Sequence, residues 1–373
     1  MFYKMGVLLL IIMISCNTLR PLEYNIPKEK NSKLFPHRII EKGSSSFHFI
    51  NDSKKNKLGQ LIKVDGRYLD ASGVPLDSMV KLHNTISFMI VRNDSILYEY
   101  YAPKYNDSIT VSSFSVAKTF VSTLIGIAIQ EGKIKSVLEP ITDFIPEFTD
   151  KRFSQITIEN LLKHTSGIHF SKKIYNPNSD NAQFYYTTKL REKMMESKIE
   201  ESPGLHFNYS SENYQLLGLI LERATHQTIS HYLQEKLWKP LGMEHDAFWN
   251  TDNKSDAAIE KAFCCLNATT HDFAKLGRLF LNNGNWNGNQ ILSPKWIREA
   301  TQPDTSDAGK FNFQYNWASG PKKYKSYYAV GLYGQYIYVF PQKNIIIVRF
   351  GKQDLHYNPS YWKDLFLQII DQL

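Results

Sequence analysis

Cysteine is scarce in this 373-residue chain, with three copies. Cys16 lies near the N-terminus, and Cys264 and Cys265 are adjacent. Neighbouring cysteines are far from ordinary bridge geometry, so the pair reads as two buried small apolar residues and no disulfide framework is expected. Zinc-ligand spacing is missing too. "KHTSGIH" and "GMEHDAF" lack the H-E-x-x-H pattern, and no metal or cofactor is expected. The absence of a G-x-S-x-G turn disfavours a Ser-His-Asp hydrolase. The formal charge is +8, but the lysines fall in short groups such as Lys54, Lys55 and Lys57 or Lys322, Lys323 and Lys325. Without a basic arm or an aromatic RNA-binding signature, nucleic acid is not an expected partner. No internal repeat stands out. The apolar run from Met5 to Ile14 is too short to span a bilayer.

What is present is an ordinary globular composition, 42% hydrophobic and 13% aromatic, long enough for one large domain or two lobes. At the N-terminus, Lys4 precedes the apolar run, which ends in "MISC". This matches a signal-peptide core over residues 1–15 and resembles the lipobox of bacterial lipoproteins, in which Cys16 would be lipidated after cleavage. An ordinary secretory signal is the alternative. Either way the expected compartment is the bacterial cell envelope, with the lipid at Cys16 as membrane anchor and a periplasm-facing body. The polar stretch from residue 17 to about 45, with its "KGSSS" cluster, reads as a tether within an N-terminal extension over 16–75.

From Thr85 onward the pattern becomes regular. "TISFMIVRNDSILYEYYA" predicts a hairpin turning at Asn93-Asp94, and "YIYVFPQKNIIIVRF" a second one turning over Pro341 to Asn344. The intervening chain carries helix punctuation. Thr157 precedes one helix that Gly167 can close. Ser210 or Ser211 precedes "ENYQLLGLILERA", Thr270 precedes "HDFAKLGRLFL", and Ser293-Pro294 opens another. Early and late strands with helices between them predict an α+β fold. Its α/β sandwich comprises 76–145 and 285–373, with an antiparallel sheet from both chain ends. An all-α lobe over 146–284 is inserted, and the active site falls between the lobes.

"SSFSVAKTFVSTLIGIAIQEG" is apolar almost all round, which implies burial, yet it contains Lys118. Burial disfavours the ammonium form and makes a lysine a base near neutrality. Ser115 lies three residues earlier on the same helical face, about 5–6 Å away between Cβ atoms. A hydroxyl beside a buried amine suits covalent acyl transfer, and the backbone N–H at the first turn favours an oxyanion. The tetrapeptide alone is weak. Ser78/Lys81, Ser319/Lys322 and Ser360/Lys363 share the spacing, and a helix cap at Ser115 with a snorkelling Lys118 is the alternative.

Six segments in order resemble the serine β-lactamase and penicillin-binding-protein family, in its class C-like branch of esterases, D-amino-acid peptidases and 6-aminohexanoate-dimer hydrolases. They are "SSFSVAKTF", "ITIENLLKHTSGI", "PGLHFNYSSENYQLLG", "LWKPLGM", "LNATTHDFAKLGRLFLNNGNWNG" and "GLYGQYIYVFP". The resemblance implies Ser115 as nucleophile, Lys118 as base and Tyr209 as proton shuttle. Ser211 stands where the family has asparagine, as in the dimer-hydrolase branch. Ala329-Val330-Gly331 falls at the Lys-Thr-Gly position, so the cation is missing, which argues against efficient penicillin turnover. The N–H groups of Ser115 and Leu332 would form the oxyanion hole, with Gly331 and Tyr333 lining the site. Tyr175, Asp180 and Tyr186 are possible substrate contacts, Asp180 as partner for a cationic amine. The expected activity is hydrolysis of a small ester, amide or peptide. A D-Ala-D-Ala-type peptidase and a non-catalytic ligand-binding lipoprotein of the same fold are the alternatives.

Overall fold

Both expected hairpins form, and they meet in one sheet. The computed structural model describes residues 27–52, 57–66, 71–173, 176, 178–306, 309–310, 312–353 and 359–373; Cys16 and Tyr175 lie outside these. The strands that shape the molecule are β1 (His37–Ile40), β2 (Ile50–Asn51), β3 (Thr85–Arg92), β4 (Ser95–Tyr101), β5 (Val111–Ser112), β6 (Ala247–Asn250), β7 (Leu266–Ala268), β8 (Phe313–Gln314), β9 (Trp317–Ser319), β10 (Tyr327–Gly331), β11 (Gln335–Phe340) and β12 (Ile345–Gly351). The helices are α1 (Leu76–Leu82), α2 (Ala117–Gln130), α3 (Ile158–Lys163), α4 (Asp180–Tyr186), α5 (Ser211–Thr225), α6 (Thr270–Leu281), α7 (Pro294–Thr301) and α8 (Pro359–Asp371).

Among the described residues the main sheet runs β8-β9-β10-β11-β12-β3-β4-β2. The chain ends join where β12 pairs antiparallel with β3, Ile347 opposite Ile90. The β3–β4 turn uses Asn93 and Asp94 at φ 49° and 61°, the left-handed pair a tight hairpin requires. The edge strand β2 was not expected and joins β4 in parallel. Central strands alternate between two cores, as a sheet covered on both faces must. Met89, Val91, Ile337 and Ile346 face the core shared with α2 and α6. Phe88, Ile90, Tyr338 and Ile347 face α1 and α8.

The span 146–284 holds helices α3, α4 and α5, but it also carries strands β6 and β7 and so is not all-α. Helix α6 falls inside the expected lobe yet packs on the sheet. Gly277 permits the approach: a Cβ there would lie 2.8 Å from Ile346 Cγ2 and 3.0 Å from Ile337 Cγ2. Two helix boundaries shift, those expected at Gly167 and Thr270. Thr157 caps α3 with a full capping box, but His164 at φ 59° closes it, three residues before Gly167. Ser210 caps α5, and Thr269 rather than Thr270 caps α6. Residues 27–45 are not a free tether. β1 pairs with β6 in a small sheet ordered β1-β6-β7-β5, and Phe35 and Ile40 enter the core. Among the described residues no helix is long and apolar enough to cross a membrane.

Candidate active site

The chain enters α2 through one tight turn, Phe114–Val116. Phe114 is held at φ 42°, a left-handed conformation that a bulky residue keeps only when its surroundings enforce it. Its ring is locked edge-on against Tyr333 at 5.5 Å. Ser115 follows, half-buried, and Lys118 lies one turn on with no exposed surface. The Lys118 Nζ lies 3.0 Å from Ser115 Oγ and donates to the Phe263 carbonyl at 2.8 Å. It sits 5.0 Å from the Tyr209 ring centroid. Burial lowers the Lys118 pKa from its ordinary value, and the Tyr209 phenol only partly opposes this. No carboxylate among the described residues pairs with this amine.

Tyr209 arrives from the turn before α5 and is oriented by His164. The two rings are 4.4 Å apart. The His164 Nδ1 accepts a hydrogen bond from the Ser210 N–H at 3.1 Å, which puts the ring proton on Nε2. Burial, reinforced by the Lys118 charge, drives the His164 pKa well below 6.5, so the ring stays neutral. With Ser210 capping α5, Ser211 is spared that duty and lines the cavity, its Oγ donating to Asn181 Oδ1 at 3.3 Å.

Strand β10 supplies the opposite wall. A Cβ added to Gly331 would lie 2.7 Å from the Ser113 carbonyl oxygen and 3.2 Å from the Ser115 nitrogen. Only glycine lets the strand run this close to the serine. Val330, Gly331 and Leu332 line the cavity, while the Ala329 side chain is buried within the sheet. Asn316, at φ 66°, donates from Nδ2 to the Ser115 carbonyl at 3.2 Å and to Thr119 Oγ1 at 2.8 Å, fixing the start of α2. The cavity holds about 490 Å3, and six aromatic residues contribute to its walls: Phe114, Phe170, Tyr185, Tyr209, Phe263 and Phe313. A larger groove of about 1000 Å3 along residues 33–38 and 251–258 contains none of Ser115, Lys118 or Tyr209.

Ser115, Lys118, Tyr209, Ser211, Gly331 and Leu332 thus converge, and other expected residues do not. Tyr333 stands behind the wall at φ 64°, its hydroxyl donating to the Pro27 carbonyl at 2.7 Å. The Asp180 carboxylate turns away from the cavity. It accepts from the Ser171 N–H at 2.9 Å and lies 3.7 Å from Lys193 Nζ. Tyr186 is core, with its oxygen 3.4 Å from Asn31 Nδ2. Their neighbours Asn181 and Tyr185, one helical turn apart, line the cavity instead. Cys264 and Cys265 are buried as expected, but they form a disulfide, which corrects the reading of two free thiols. Cys264 is part of the cavity wall, next to the residue whose carbonyl receives Lys118.

The same fold recurs among known proteins. The 6-aminohexanoate-dimer hydrolase of Paenarthrobacter ureafaciens is 23% identical over 288 residues, 71% of this chain and 72% of that protein. A solved structure from Bacillus anthracis, assigned as a 6-aminohexanoate-dimer hydrolase, superposes with a TM-score of 0.80 at 23% identity, covering 91% of this chain and 90% of the other. A class C β-lactamase variant superposes at 0.60 with 18% identity, over 80% and 95% of the two chains. The family model described as Beta-lactamase matches residues 81–356, and this chain, a hydrolase by that kinship, belongs to the β-lactamase family.

Proposed function

We propose that this protein is a serine hydrolase of the cell envelope that cleaves an ester or amide through an acyl-Ser115 intermediate. The observation that carries the reading is the buried Lys118 amine, 3.0 Å from Ser115 Oγ and without a carboxylate partner among the described residues. Desolvation lowers the pKa of this amine and so raises the share of the neutral form, whose lone pair accepts the serine proton. Ser115 Oγ then bonds to the substrate carbonyl carbon, and the carbonyl electrons move to oxygen. The oxyanion is received by the N–H groups of Ser115 and Leu332, each typically worth a hundredfold or more in rate. As the bond to the leaving group breaks, Tyr209 relays the Lys118 proton to the departing oxygen or nitrogen. Water adds to the acyl-enzyme with the same base, releasing a carboxylic acid and restoring the hydroxyl.

Ester and amide chemistry is favoured over β-lactam turnover because Ala329, buried in β10, offers no cation at the position that holds a substrate carboxylate in β-lactamases. The anchor is proposed at Cys16. A fluorophosphonate probe should label the protein, and Ser115→Ala should abolish labelling; an unlabelled native protein would point to a binding module instead. A p-nitrophenyl ester should be turned over faster than a chromogenic cephalosporin or a D-Ala-D-Ala peptide. Incorporation of radiolabelled palmitate should vanish in Cys16→Ala, and its persistence would remove the anchor.

A further inference from the structure

The charge around the cavity is the reverse of what a cationic substrate requires. Its described lining residues include Lys172 and no aspartate or glutamate. Asp180, the carboxylate expected to greet an amine, is bound to the Ser171 N–H and flanked by Lys193. Lys172 lies two residues after Phe170 on the loop between α3 and α4, and its side chain is exposed at the cavity mouth. No described residue gives it a hydrogen-bond acceptor or an ion pair. A second cation lies nearby. Lys310 sits 5.2 Å from the Phe207 ring centroid. Partial burial, and then the Lys310 charge, lower the Lys172 pKa. Lys172 therefore places an ammonium with no described counter-ion at the mouth of the cavity, and the Lys310 charge adds to a positive potential there that attracts an anion.

We propose that the cavity selects acyl compounds with an apolar or aromatic spacer ending in a carboxylate, and that Lys172, supported by Lys310, is the residue that receives the carboxylate. The spacer occupies the aromatic walls while the scissile carbonyl lies at Ser115. Monoesters and monoamides of dicarboxylic acids are the substrate class. This inference rests on the serine-hydrolase reading, and its test separates the two.

Three p-nitrophenyl esters with the same leaving group serve as probes: the butyrate, the hydrogen glutarate and the 6-aminohexanoate. The native protein should show the highest kcat/KM for the glutarate and the lowest for the 6-aminohexanoate, the first exceeding the butyrate by about fivefold, the scale of one partly solvated ion pair. Added salt should compress the ratio. Lys172→Arg should keep the order, Lys172→Gln should level it, and Lys172→Glu should invert it. A native protein indifferent to charge, or a preference that survives Lys172→Glu, overturns the proposal. Those results leave the serine hydrolase standing as long as the probe still labels Ser115; loss of labelling in the native protein would overturn the hydrolase itself.

Discussion

At the scale of the residue, the chemistry reduces to one amine and what surrounds it. Lys118 has the Ser115 hydroxyl, the Phe263 carbonyl and the Tyr209 phenol around it, and all are uncharged when the phenol keeps its proton. Desolvation therefore outweighs the attractions, and the lysine pKa lies below its ordinary 10.5. The sign follows directly. The working form is the neutral amine, so kcat/KM for a neutral ester rises with pH as Lys118 loses its proton, and the midpoint should fall below 10.5. Tyr209 favours the charged amine, so Tyr209→Phe should move the midpoint lower still while kcat drops by about a hundredfold, the scale of one proton-transfer partner. A pH–rate series on both proteins checks this; a native midpoint at the ordinary lysine value would refute a buried base.

At the scale of the element, the turn between β10 and β11 carries Leu332 and is held from behind by Arg349 on β12. The buried guanidinium donates to the carbonyls of Tyr333 and Gly334 at 2.8 and 2.7 Å and to His83 at 2.7 Å. It also lies 3.7 Å over the Trp362 ring. Lysine cannot reproduce this fork. Arg349→Lys should cost about 2–4 kcal/mol of unfolding free energy in urea, since several buried acceptors lose their donor. It should also lower kcat by about tenfold with a smaller change in KM, because a loosened turn misplaces an oxyanion donor rather than a binding wall. An unchanged kcat would confine Arg349 to stability. The sequence makes the elements legible and leaves such contacts dark. Apolar runs on either side of turn residues show both hairpins, and a helix apolar on all sides reveals Lys118 as misplaced. Helix α4 has seven residues, too few for periodicity to choose between Asp180/Tyr186 and Asn181/Tyr185. Asn316, Arg349 and Lys172 reach the site through tertiary folding alone, with no local pattern to mark them. The Cys264–Cys265 bond was missed because ordinary bridge statistics exclude neighbours, and the cap at Ser210 left Ser211 free in a way no spacing rule distinguishes.

At the scale of the molecule, a buried charge network ties the sheet edge, α6 and the loop at Glu244 together, and it sets the pH range of stability. His271 Nε2 lies 2.6 Å from Glu99 on β4, and its Nδ1 lies 3.4 Å from Glu244. Lys275 reaches Glu244 and Asp272, both at 3.1 Å, and the Gly242 carbonyl at 2.9 Å. Asp272 in turn accepts from the Glu244 N–H at 2.7 Å. Burial is the strongest single influence on His271 and works against its charge, yet Glu244 and Glu99 together outweigh it and lift the pKa to about 9. Glu244 is likewise opposed by burial but held at about 2 by His271 and Lys275. A raised histidine contributes stability that is complete below its unfolded value of 6.5 and disappears as pH climbs through 9. A depressed glutamate contributes stability that is complete above its unfolded value of 4.5 and disappears as pH falls through 2. The network is therefore fully formed between about pH 4.5 and 6.5. The histidine arm is worth up to about 3 kcal/mol on this linkage, shared with its carboxylate partners. His271→Gln removes the titrating group, so the stability difference between native protein and variant should shrink steadily from pH 6.5 to 9 in urea unfolding. A difference that stays constant over that interval would mean that His271 is neutral in the fold and that the carboxylates are held by Lys275 and the backbone alone.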